Sequence, residues 1–471
     1  MNTQQINRTS LSKPGFCSLS ALITSGHSDH VLVAGDSDSI IDWSQFRLEV
    51  QALKSILVAS SYQKWALCFD DSYHFAVAFI ALAQAGKDMV LPGNRQPAAL
   101  DEIAGHFEAL LHDKPSKMPL DVHQQLLPAQ ERVVLSAASD IPSQSLSQLK
   151  LILFTSGSSG KPKAITKSLA NIDAEICHLE KTWGRQLSET SVISTVSHQH
   201  IYGMLFRVLW PLCAGRQFSR HDCSYPEQVV AASSKDTVLI TSPALLKRLD
   251  AQPVTEPFRA IFSSGGPLSF DTVQQNCASF GQRPIEVFGS TETGGIGYRQ
   301  QQAIDTPWKR FDVIDIALNV DGCLRLRSPY IELDDWYQTS DLCQLLGDNH
   351  FVVKGRSDRV VKVEEKRISL AEVERHLCQL EWIEEAVVLA LPSTSRLALA
   401  TVITLNQEGK QKLALLGRGQ FGLAVRQALR QWVEPVGIPR RFRVVDEMPQ
   451  NSQGKYQVRE LQQLFSDEFT E

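Results

Sequence analysis

The feature that most constrains the fold of this chain is an alternation of short apolar runs with helix-like segments between about residues 31 and 354. This alternation is typical of an α/β layered architecture. Several of the apolar runs end directly in Ser, Thr or Gly. Because ligands bind outside the carboxyl ends of strands in open α/β sheets, these polar loops are predicted to converge on one site. The candidate strands are 66–69, 151–155, 191–196, 238–242, 260–263 and 285–288.

Beyond Lys354 the sequence forms a separate compact run with its own helix and strand patterns. Ser369 and Glu372 form a capping-box pattern before a helical apolar stripe, and residues 386–391 and 397–405 have the composition of strands. The sequence therefore predicts a small α+β C-terminal domain after a large layered N-terminal α/β domain in which helices pack on β-sheets.

Composition places the chain among ordinary globular proteins and limits its partners. With 471 residues, it is long enough for two or three lobes. Hydrophobic residues at 43% and charged residues at 21% are typical of a folded soluble domain. The formal net charge of −5 argues against a nucleic-acid binder, although a local basic patch stays possible.

Cysteine usage and hydropathy predict a cytoplasmic location. The nine cysteines are scattered without a C-x-x-C pair, which argues against a disulfide framework or a zinc cluster and favours a reducing compartment. Residues 1–14 are polar and lack an apolar signal core, and the longest apolar run, 76–83, is too short to cross a bilayer. We therefore expect no transmembrane segment.

The stretch FTSGSSGKPKA, residues 154–164, is a candidate phosphate-binding loop. After a strand, such a loop can direct backbone N–H groups and hydroxyls at phosphate oxygens, and its lysines add charge. It does not fit the P-loop pattern, because only two residues separate Gly157 from Gly160 and Pro162 follows Lys161. By itself the stretch leaves two interpretations open, an anion-binding loop and a polar turn.

This stretch, together with five others in the same order along the chain, resembles the motifs of the AMP-forming adenylating superfamily. That superfamily includes acyl- and aryl-CoA synthetases, nonribosomal adenylation domains and firefly luciferase. The further matches are SSGGPL at 263–268, VFGSTETGG at 287–295, YQTSD at 337–341, GRSDRVVK at 355–362 and NSQGK at 451–455. Six strings in order are far more specific than any single motif.

The resemblance implies an enzyme that activates a carboxylic acid with ATP and Mg²⁺. Pyrophosphate leaves as an acyl adenylate forms, and a thiol of CoA or of a carrier protein's phosphopantetheine then displaces AMP. It also implies a large N-terminal domain over residues 1–357 and a small mobile C-terminal domain over residues 358–471, with a hinge at Asp358. Because both steps move charge between oxygens, catalysis is expected to rest on positioning and electrostatics.

The resemblance assigns roles to individual residues. Thr291 is expected to bond the α-phosphate, Glu292 to hold Mg²⁺, and Lys455 to neutralise charge between the carboxylate and the α-phosphate. Asp341, assisted by Arg356, is expected to hold the ribose hydroxyls. The remaining expected nucleotide contacts are Thr155, Ser156, Gly157, Ser158, Ser159, Gly160 and Lys163 at the β- and γ-phosphates, Gly265, Gly266, Pro267, Val287 and Phe288 around adenine, Arg367 near a phosphate, and Gly289 and Ser290 with no particular group of the nucleotide assigned.

The histidines of the stretch HQHIYGM, residues 198–204, bear on the acid substrate. Its H-x-x-G form resembles acyl and aryl ligases, and the aspartate that pairs with an amino-acid ammonium is missing. His200 is predicted either to lie near the substrate carboxylate or to be a structural histidine at the pocket mouth. His198 and His200 lack cysteines or carboxylates at metal spacing, so a metal centre is not expected there.

Two residues depart from the family pattern, one beside the expected ribose contact and one on the surface expected to meet the thiol donor. Ser340 replaces a usual glycine before Asp341, and Glu365 replaces a glycine on the surface that meets the thiol donor. The stretch KVEEKRISL resembles ligases of bacterial aryl polyene and polyketide-type clusters, which favours an acyl carrier protein as the acceptor. Three matters stay open: the acid, aryl or fatty; the acceptor, carrier protein or CoA; and the oligomeric state. The alternatives are an amino-acid-adenylating domain and a non-catalytic descendant.

Overall fold

The computed structural model describes residues 15–36, 39–93, 95–114, 122–127, 145–156, 162–249, 254, 256–333, 335–347, 349–363, 366–391, 398–433, 435–450 and 456–465. The chain divides into two compact units. The first comprises Met1–Thr306 with Ser328–Glu332, and the second comprises Pro307–Arg327 with Leu333–Glu471. The second unit thus starts before residue 358. The predicted domain boundary at 357/358 is the hinge about which the C-terminal domain is expected to move. It is a different quantity from the division into compact units, and it stays a prediction.

The first unit contains two sheets and a strand pair, with helices between and around them. Its described strands are β1 Leu32–Gly35, β2 Ile40–Asp42, β3 Lys64–Cys68, β4 Asp88–Leu91, β5 Ala109–His112, β6 His123–Leu126, β7 Lys150–Ser156, β8 Pro162–Ser168, β9 Ser191–Ser194, β10 Thr237–Thr241, β11 Ala260–Ser263, β12 Ile285–Ser290 and β13 Gly294–Arg299. Its described helices are α1 Leu19–Thr24, α2 Trp43–Ala59, α3 Ser72–Gln84, α4 Pro97–Glu102, α5 Leu169–Trp183, α6 Ile201–Gly203, α7 Trp210–Cys213, α8 Pro226–Ala231, α9 Pro243–Leu246 and α10 Phe270–Phe280, with a π-helical stretch at Met204–Leu209.

The first sheet of this unit has the order β6-β5-β3-β4-β7-β8 in the described residues. All neighbours are parallel except β7 and β8, which form an antiparallel hairpin. Helix α3 contacts β3 and β4 and also the π-helical stretch, and its residues from Ser72 to Ala83 are buried or nearly so. A helix that is apolar on every side belongs in the interior, so α3 forms part of the core between layers.

Strands β9 to β12 are parallel, in the order β12-β11-β10-β9, and β13 pairs antiparallel with β12. Strands β10 and β11 are short, apolar in the middle and buried along their whole length, as expected for strands covered on both faces. The turn that joins β12 to β13, residues 291–293, therefore lies at the carboxyl end of β12, the side where this fold class binds ligands.

The second unit contains an antiparallel sheet and a smaller α+β module. Its described elements are β14 Trp308–Arg310, β15 Asp315–Leu318, β16 Cys323–Arg327, β17 Tyr337–Leu346, β18 His350–Arg356, β19 Val360–Val363, β20 Lys366–Ser369, α11 Leu370–Cys378, β21 Ile383–Leu391, β22 Ala398–Leu405, α12 Gln407–Leu429, β23 Arg441–Val444 and α13 Val458–Gln463. Strands β21 and β22 are antiparallel and β23 joins β22 in parallel. Helices α11 and α12 bury their apolar faces with β21 and β22, including Val373, Leu377, Phe421 and Val425.

The predicted α/β class is confirmed, and the predicted strands agree with the structure to within a few residues. One local expectation is wrong. The helical spacing of Ile172, Ile176 and Trp183 predicts a helix directly after the glycine-rich loop, whereas β8 separates the loop from α5. The reason is that β8 lies at the sheet edge and reads Pro-Lys-Ala-Ile-Thr-Lys-Ser, so its weak alternation of apolar and polar residues is easily missed. In the described residues no helix is long and apolar enough to cross a membrane.

Candidate functional site

The predicted phosphate loop lies at the tip of the hairpin formed by β7 and β8. Thr155 is opposite Lys163 and Ser156 is opposite Pro162 in the register of the hairpin. The side chain of Ser156 and the loop residues Gly157, Ser158, Ser159 and Gly160 lie outside the described residues. The first N–H groups of α5 are not free for an anion, because Ser168 caps the helix and accepts the N–H of Asn171. Any phosphate binding here depends on the hairpin loop rather than on a helix terminus.

The turn between β12 and β13 presents Thr291 and Glu292 at its tip. Ser290 and Thr293 bond each other reciprocally below the tip. The N–H of Ser290 donates to Oγ1 of Thr293 at 3.0 Å, and the N–H of Thr293 donates to Oγ of Ser290 at 3.2 Å. Ser290 and Thr293 thereby hold the two ends of the turn together, and the side chains of Thr291 and Glu292 take no part in these bonds. The turn is a fixed platform for the Thr291 hydroxyl and the Glu292 carboxylate.

The loop motif and the turn motif meet through one ion pair. Nζ of Lys163 lies 3.4 Å from Oε1 of Glu292, although 129 positions separate them in the sequence. Burial by itself would raise the pKa of Glu292, but its own backbone N–H and the ammonium of Lys163 outweigh burial, and the pKa is lowered from its ordinary value. Glu292 is therefore ionised throughout the neutral range. A fixed carboxylate beside a lysine suits the chemistry of polyphosphate and Mg²⁺.

Two glycines allow the turn to close. A Cβ atom at Gly289 would overlap the carbonyl oxygen of Gly294. Gly294 itself has a φ of +66°, in the left-handed region where side chains are disfavoured. Sequence analysis expected Gly289 to be a nucleotide contact, and the structure shows that its lack of a side chain is also needed for the hairpin.

Replacing Gly289 by alanine is expected to lower the free energy of unfolding by about 1–3 kcal/mol, the usual cost of forcing extra atoms into a filled space. The displaced turn should also weaken ATP binding. Thermal unfolding and ATP titration of Gly289→Ala would measure both effects. Gly105→Ala is a suitable control, because its Cβ would meet no atom within 4 Å. Equal stability of the two variants would contradict the prediction.

The two segments expected to enclose adenine are adjacent in the structure. Strands β11 and β12 are parallel neighbours, and Oγ of Ser264 donates to the carbonyl oxygen of Val287 at 2.9 Å. Gly265, Gly266 and Pro267 follow β11 as an exposed loop, and Val287 is buried beside them. This loop and the end of β12 therefore form one continuous rim, with accessible backbone next to an apolar side chain.

Sequence reasoning missed the group that supports this rim. The carboxylate of Glu286 is buried and pairs with Arg299, whose Nε lies 2.8 Å from Oε1. It also accepts the backbone N–H of Leu268 at 3.2 Å and the side-chain amide of Gln301 at 2.7 Å. Glu286 thus ties the SSGGPL loop to β12 and β13. The only signal in the sequence was a charged residue inside an apolar strand, which indicates a paired buried charge.

His200 and His198 have different environments. His200 precedes α6 and its ring lies near Gly93, where a Cβ would be 3.7 Å from Cε1 of the imidazole. His198 is buried, with Nε2 donating to the carbonyl oxygen of Phe69 at 3.1 Å and Nδ1 accepting from the hydroxyl of Ser72 at 2.9 Å. Burial and the charge of Arg207 lower the pKa of His198 well below its ordinary value, so it is a neutral structural residue. Both interpretations of His200 stay open.

In the second unit, the expected ribose residues form a compact charged group. Asp341 in β17 is paired in register with Arg356 at the end of β18, and Nη1 of Arg356 lies 3.2 Å from Oδ1 of Asp341. The same guanidinium grips Asp358 with two bonds, at 2.9 and 2.6 Å. Burial raises the pKa of Asp341, and Arg356 opposes that shift. The hydrogen bond from Arg356 lowers the pKa of Asp358.

The residues around the expected hinge are tied in two directions. Asp358 is bonded to Arg356 of β18, as described above. The next residue, Arg359, is paired with Glu374 of α11 and donates to the carbonyl oxygen of Val388 in β21 at 3.1 Å. Adjacent side chains therefore hold different elements, which is the arrangement expected where a chain passes from one module to another. The role of Asp358 as a hinge stays a prediction.

Three further residues singled out by the resemblance lie wholly or partly outside the described residues. Lys455 and Glu365 lie outside the described residues, and for Arg367 only the backbone is described, paired with Lys362 in β20 and β19. The ends of the segment that contains Lys455 are held together, because Gln450 and Tyr456 form an antiparallel bridge.

The described residues fit a Mg²⁺ ion bound together with a polyphosphate. They contain no group of three or more His, Cys, Asp or Glu side chains that could hold a metal. Mg²⁺ commonly uses one or two carboxylates, substrate phosphates and water instead of a complete protein cage. The ionised carboxylate of Glu292, next to Lys163, is a donor of that type.

The profile of the AMP-binding enzyme family matches residues 23–317, which include the β7–β8 hairpin strands and the turn that carries Glu292. The chain belongs to the AMP-binding enzyme family. The resemblance of its motifs to the adenylating superfamily is thereby confirmed.

Named relatives extend the comparison at low identity. The chain is 24% identical over 377 residues to the probable CoA ligase CCL8 of Humulus lupulus, covering 68% of this chain and 61% of that protein. It is 25% identical over 304 residues to the 4-coumarate–CoA ligase of Rhodobacter capsulatus, covering 64% of this chain and 73% of that protein. The aligned stretch thus spans less than two thirds of the Humulus protein.

Solved structures agree with the fold over nearly the whole chain. The ATP-bound MatB of Rhodopseudomonas palustris is similar with a TM-score of 0.79 and 18% identity, over 94% of this chain and 97% of that one. The o-succinylbenzoate coenzyme A synthetase of Bacillus subtilis in complex with AMP is similar with a TM-score of 0.73 and 17% identity, over 91% and 94%. At these identities the likeness shows the fold.

Proposed function

We propose that the protein is an AMP-forming acid–thiol ligase. In the first step a carboxylate oxygen attacks the α-phosphorus of ATP, the bond from that phosphorus to the bridging oxygen breaks, and pyrophosphate leaves with the electron pair. In the second step a thiolate sulfur attacks the acyl carbon, the acyl C–O bond breaks, and AMP leaves. Mg²⁺ would supply charge neutralisation for the phosphates in the first step.

The observation that carries this proposal is the meeting of Lys163 and Glu292. Two motifs that are remote in sequence place an ammonium and an ionised carboxylate 3.4 Å apart, with Lys163 at the start of β8 and Glu292 just after the end of β12. A polar turn without a ligand has no need for a glycine-dependent hairpin that holds a carboxylate in one place. The pair supports a site for a metal-bound polyphosphate, which adenylation requires and simple surface turns do not.

The proposal gives each residue a role in its own unit. Lys163 and the loop at the tip of β7 and β8 hold the departing phosphates, Thr291 bonds the α-phosphate, and Glu292 holds Mg²⁺. In the second unit, Asp341 and Arg356 hold the ribose hydroxyls. Arg367 approaches a phosphate, and Lys455 acts on the charge that develops between carboxylate and α-phosphate. His200 lies beside Gly93 and is proposed to face the substrate carboxylate.

The thiol acceptor is proposed to be the phosphopantetheine of an acyl carrier protein, with CoA as the alternative. The support is the sequence KVEEKRISL, residues 362–370, in which Glu365 replaces the usual glycine. The acid is proposed to be aryl or fatty, because the H-x-x-G form at His200 and Gly203 is that of acyl and aryl ligases. A Cβ at Gly203 would overlap the carbonyl oxygen of Ser197, so close packing also requires glycine at this position.

A panel of aryl, fatty and amino acids tests the function directly. Pyrophosphate release and AMP formation are measured for each acid, first with no thiol and then with CoA or with a holo carrier protein. We expect acid-dependent pyrophosphate release with an aryl or fatty acid, and thioester formation on the carrier protein. Release with an amino acid alone would favour the competing adenylation-domain function. Efficient CoA thioester formation without carrier loading would refute the carrier-protein assignment.

Replacing Asp341 by asparagine is expected to raise the KM for ATP about 10- to 100-fold, the effect of losing a charged hydrogen bond. Burial raises the pKa of Asp341. The ionised form accepts the ribose hydroxyls, so wild-type affinity should fall as the pH drops through this raised pKa, at a higher pH than for an exposed aspartate. Asp341→Asn does not titrate and should lack this acid limb. Asp315→Asn, an exposed aspartate of β15, should keep both the wild-type KM and the acid limb.

A further inference from the structure

Two buried groups of opposite charge lie beneath the turn that carries Thr291 and Glu292. Lys167, near the end of β8, is 2% exposed, and Glu175, in the middle of α5, is 3% exposed. No motif accounts for either residue. Burying an unpaired charge is costly, so the reason for their presence must be found in what they contact.

Lys167 holds the backbone at the tip of the turn. Its Nζ donates to the carbonyl oxygen of Glu292 at 3.1 Å and to the carbonyl oxygen of Tyr330 at 2.8 Å. Because the first acceptor belongs to the proposed Mg²⁺ ligand itself, the ammonium determines how the peptide plane after Glu292 is oriented. The second bond, to Tyr330, ties the ammonium to a segment outside the turn.

Glu175 holds the other end of the same turn. Its Oε1 accepts the backbone N–H of Gly295 at 2.7 Å. Its Oε2 has no hydrogen-bond partner among the described residues, and a Cβ at Gly294 would lie 2.7 Å from it. The carboxylate is thus pressed against the two glycines that follow the turn.

The two charges also act on each other. Burial lowers the pKa of Lys167 and raises the pKa of Glu175, and in each case the opposite charge counteracts burial. Hydrophobic residues of similar volume could join β8 to α5 without the cost of desolvating two charges. What hydrophobic residues could not do is bond the carbonyl of Glu292 and the N–H of Gly295.

We propose that Lys167 and Glu175 are positioning residues that clamp the turn at both ends and so fix Thr291 and Glu292 for the α-phosphate and Mg²⁺. The inference rests on the proposed function and adds residues that no motif of the sequence includes. It predicts that loss of either clamp weakens the metal-dependent part of nucleotide binding and the adenylation rate, and that metal-free nucleotide binding changes little.

The test compares Lys167→Met and Glu175→Met with wild type, because methionine offers neither the ammonium that bonds Glu292 nor the oxygen that accepts the Gly295 N–H. Calorimetric titration gives the Kd for MgATP and for ATP in excess EDTA, and pyrophosphate release gives kcat and KM. For each variant we expect kcat to fall about 10- to 100-fold, the range of one misplaced catalytic contact. We expect the Kd for metal-free ATP to stay within about twofold, so that the gain in affinity from Mg²⁺ shrinks. Lys167→Arg keeps a cationic donor and should recover part of this gain.

Two control variants on α5 separate positioning from stability. Glu180→Gln removes the charge from a partly buried pair with Arg216, 2.8 Å away, and leaves one of the two oxygens that accept from Arg216 and Trp210, so it should lower the melting temperature. It should leave unchanged the gain in ATP affinity that Mg²⁺ provides. Lys181→Met removes an exposed lysine and should change neither quantity.

The outcomes distinguish the possible failures. If the clamp variants lose stability as Glu180→Gln does but keep the wild-type kcat and Mg²⁺ gain, the positioning role is refuted. If Lys167→Met does not fold, Glu175→Met decides, because it removes the acceptor of the Gly295 N–H with a side chain of similar length. If no acid supports pyrophosphate release in wild type, the proposed function fails. The comparison of MgATP with metal-free ATP would still decide whether the clamp acts.

Discussion

Replacing Lys455 by alanine is expected to slow acyl-adenylate formation about 100- to 1,000-fold, the loss seen when one preorganised charge is removed from a transition state. The negative charges of the carboxylate and the α-phosphate approach each other in this step, and an ammonium between them lowers the barrier. The same charge in water would be screened, so its effect depends on closure of the site around it. Pyrophosphate release at saturating acid and MgATP measures the change.

The effect should be confined to the first step. When preformed acyl adenylate and thiol are supplied to Lys455→Ala, thioester formation should stay close to the wild-type rate, because the small domain is proposed to have swung by then. Lys410→Ala removes an exposed lysine of α12 and is a matched control that should leave both steps unchanged. A wild-type adenylation rate in Lys455→Ala would show that the proposed mechanism is wrong.

Replacing Glu292 by glutamine is expected to lower kcat about 100-fold and to raise the Mg²⁺ concentration needed for half-maximal rate, since a neutral amide is a weaker ligand for a hard cation. The substitution keeps the volume and one oxygen, so the fold should survive. In the wild-type protein the pKa of Glu292 is lowered, so this carboxylate is ionised above that pKa and loses its charge only on strong acidification. Glu292 should therefore not cause an acid limb near neutral pH.

A lysine-paired glutamate elsewhere in the first unit provides the control for Glu292. Glu332 lies 2.8 Å from Nζ of Lys150, in a pair that resembles the pair of Glu292 with Lys163. Exposed pairs of this kind contribute about 0–1 kcal/mol to stability. Glu332→Gln should therefore leave the Mg²⁺ dependence of the rate unchanged. If Glu332→Gln and Glu292→Gln shift it equally, the metal role of Glu292 is refuted.

Much of the fold and part of the site could be predicted because they depend on local pattern. Strand β11, for example, is three apolar residues and Ser263, followed by Ser-Gly-Gly-Pro, and its predicted bounds of 260–263 agree with the structure. Strand β8 was missed, because an edge strand with alternating polar residues is stabilised by its neighbour β7 rather than by its own composition. The local signal was weak where the stabilising contact was not local.

The support of the site shows the same limit. The motifs containing Thr291, Glu292, Asp341 and Arg356 could be found by their spacing. Glu286, which bonds the SSGGPL loop and β13, could not be assigned a role from spacing, because its partners are as distant as Arg299 in the chain and belong to different elements. The partners of a buried charged residue are determined by the three-dimensional fold. A sequence pattern can therefore show that such a residue is present, but not which groups it bonds.

The sequence by itself determined the α/β class, the family and the residues that carry the proposed chemistry, because hydrophobic periodicity and ordered motifs are properties of the chain alone. Only the tertiary structure decided that Lys163 meets Glu292, and that Lys167 and Glu175 bond the two ends of one turn. The physical reason is that a hydrogen bond acts over about 3 Å in space whatever the separation along the chain, and only folding determines which groups come that close.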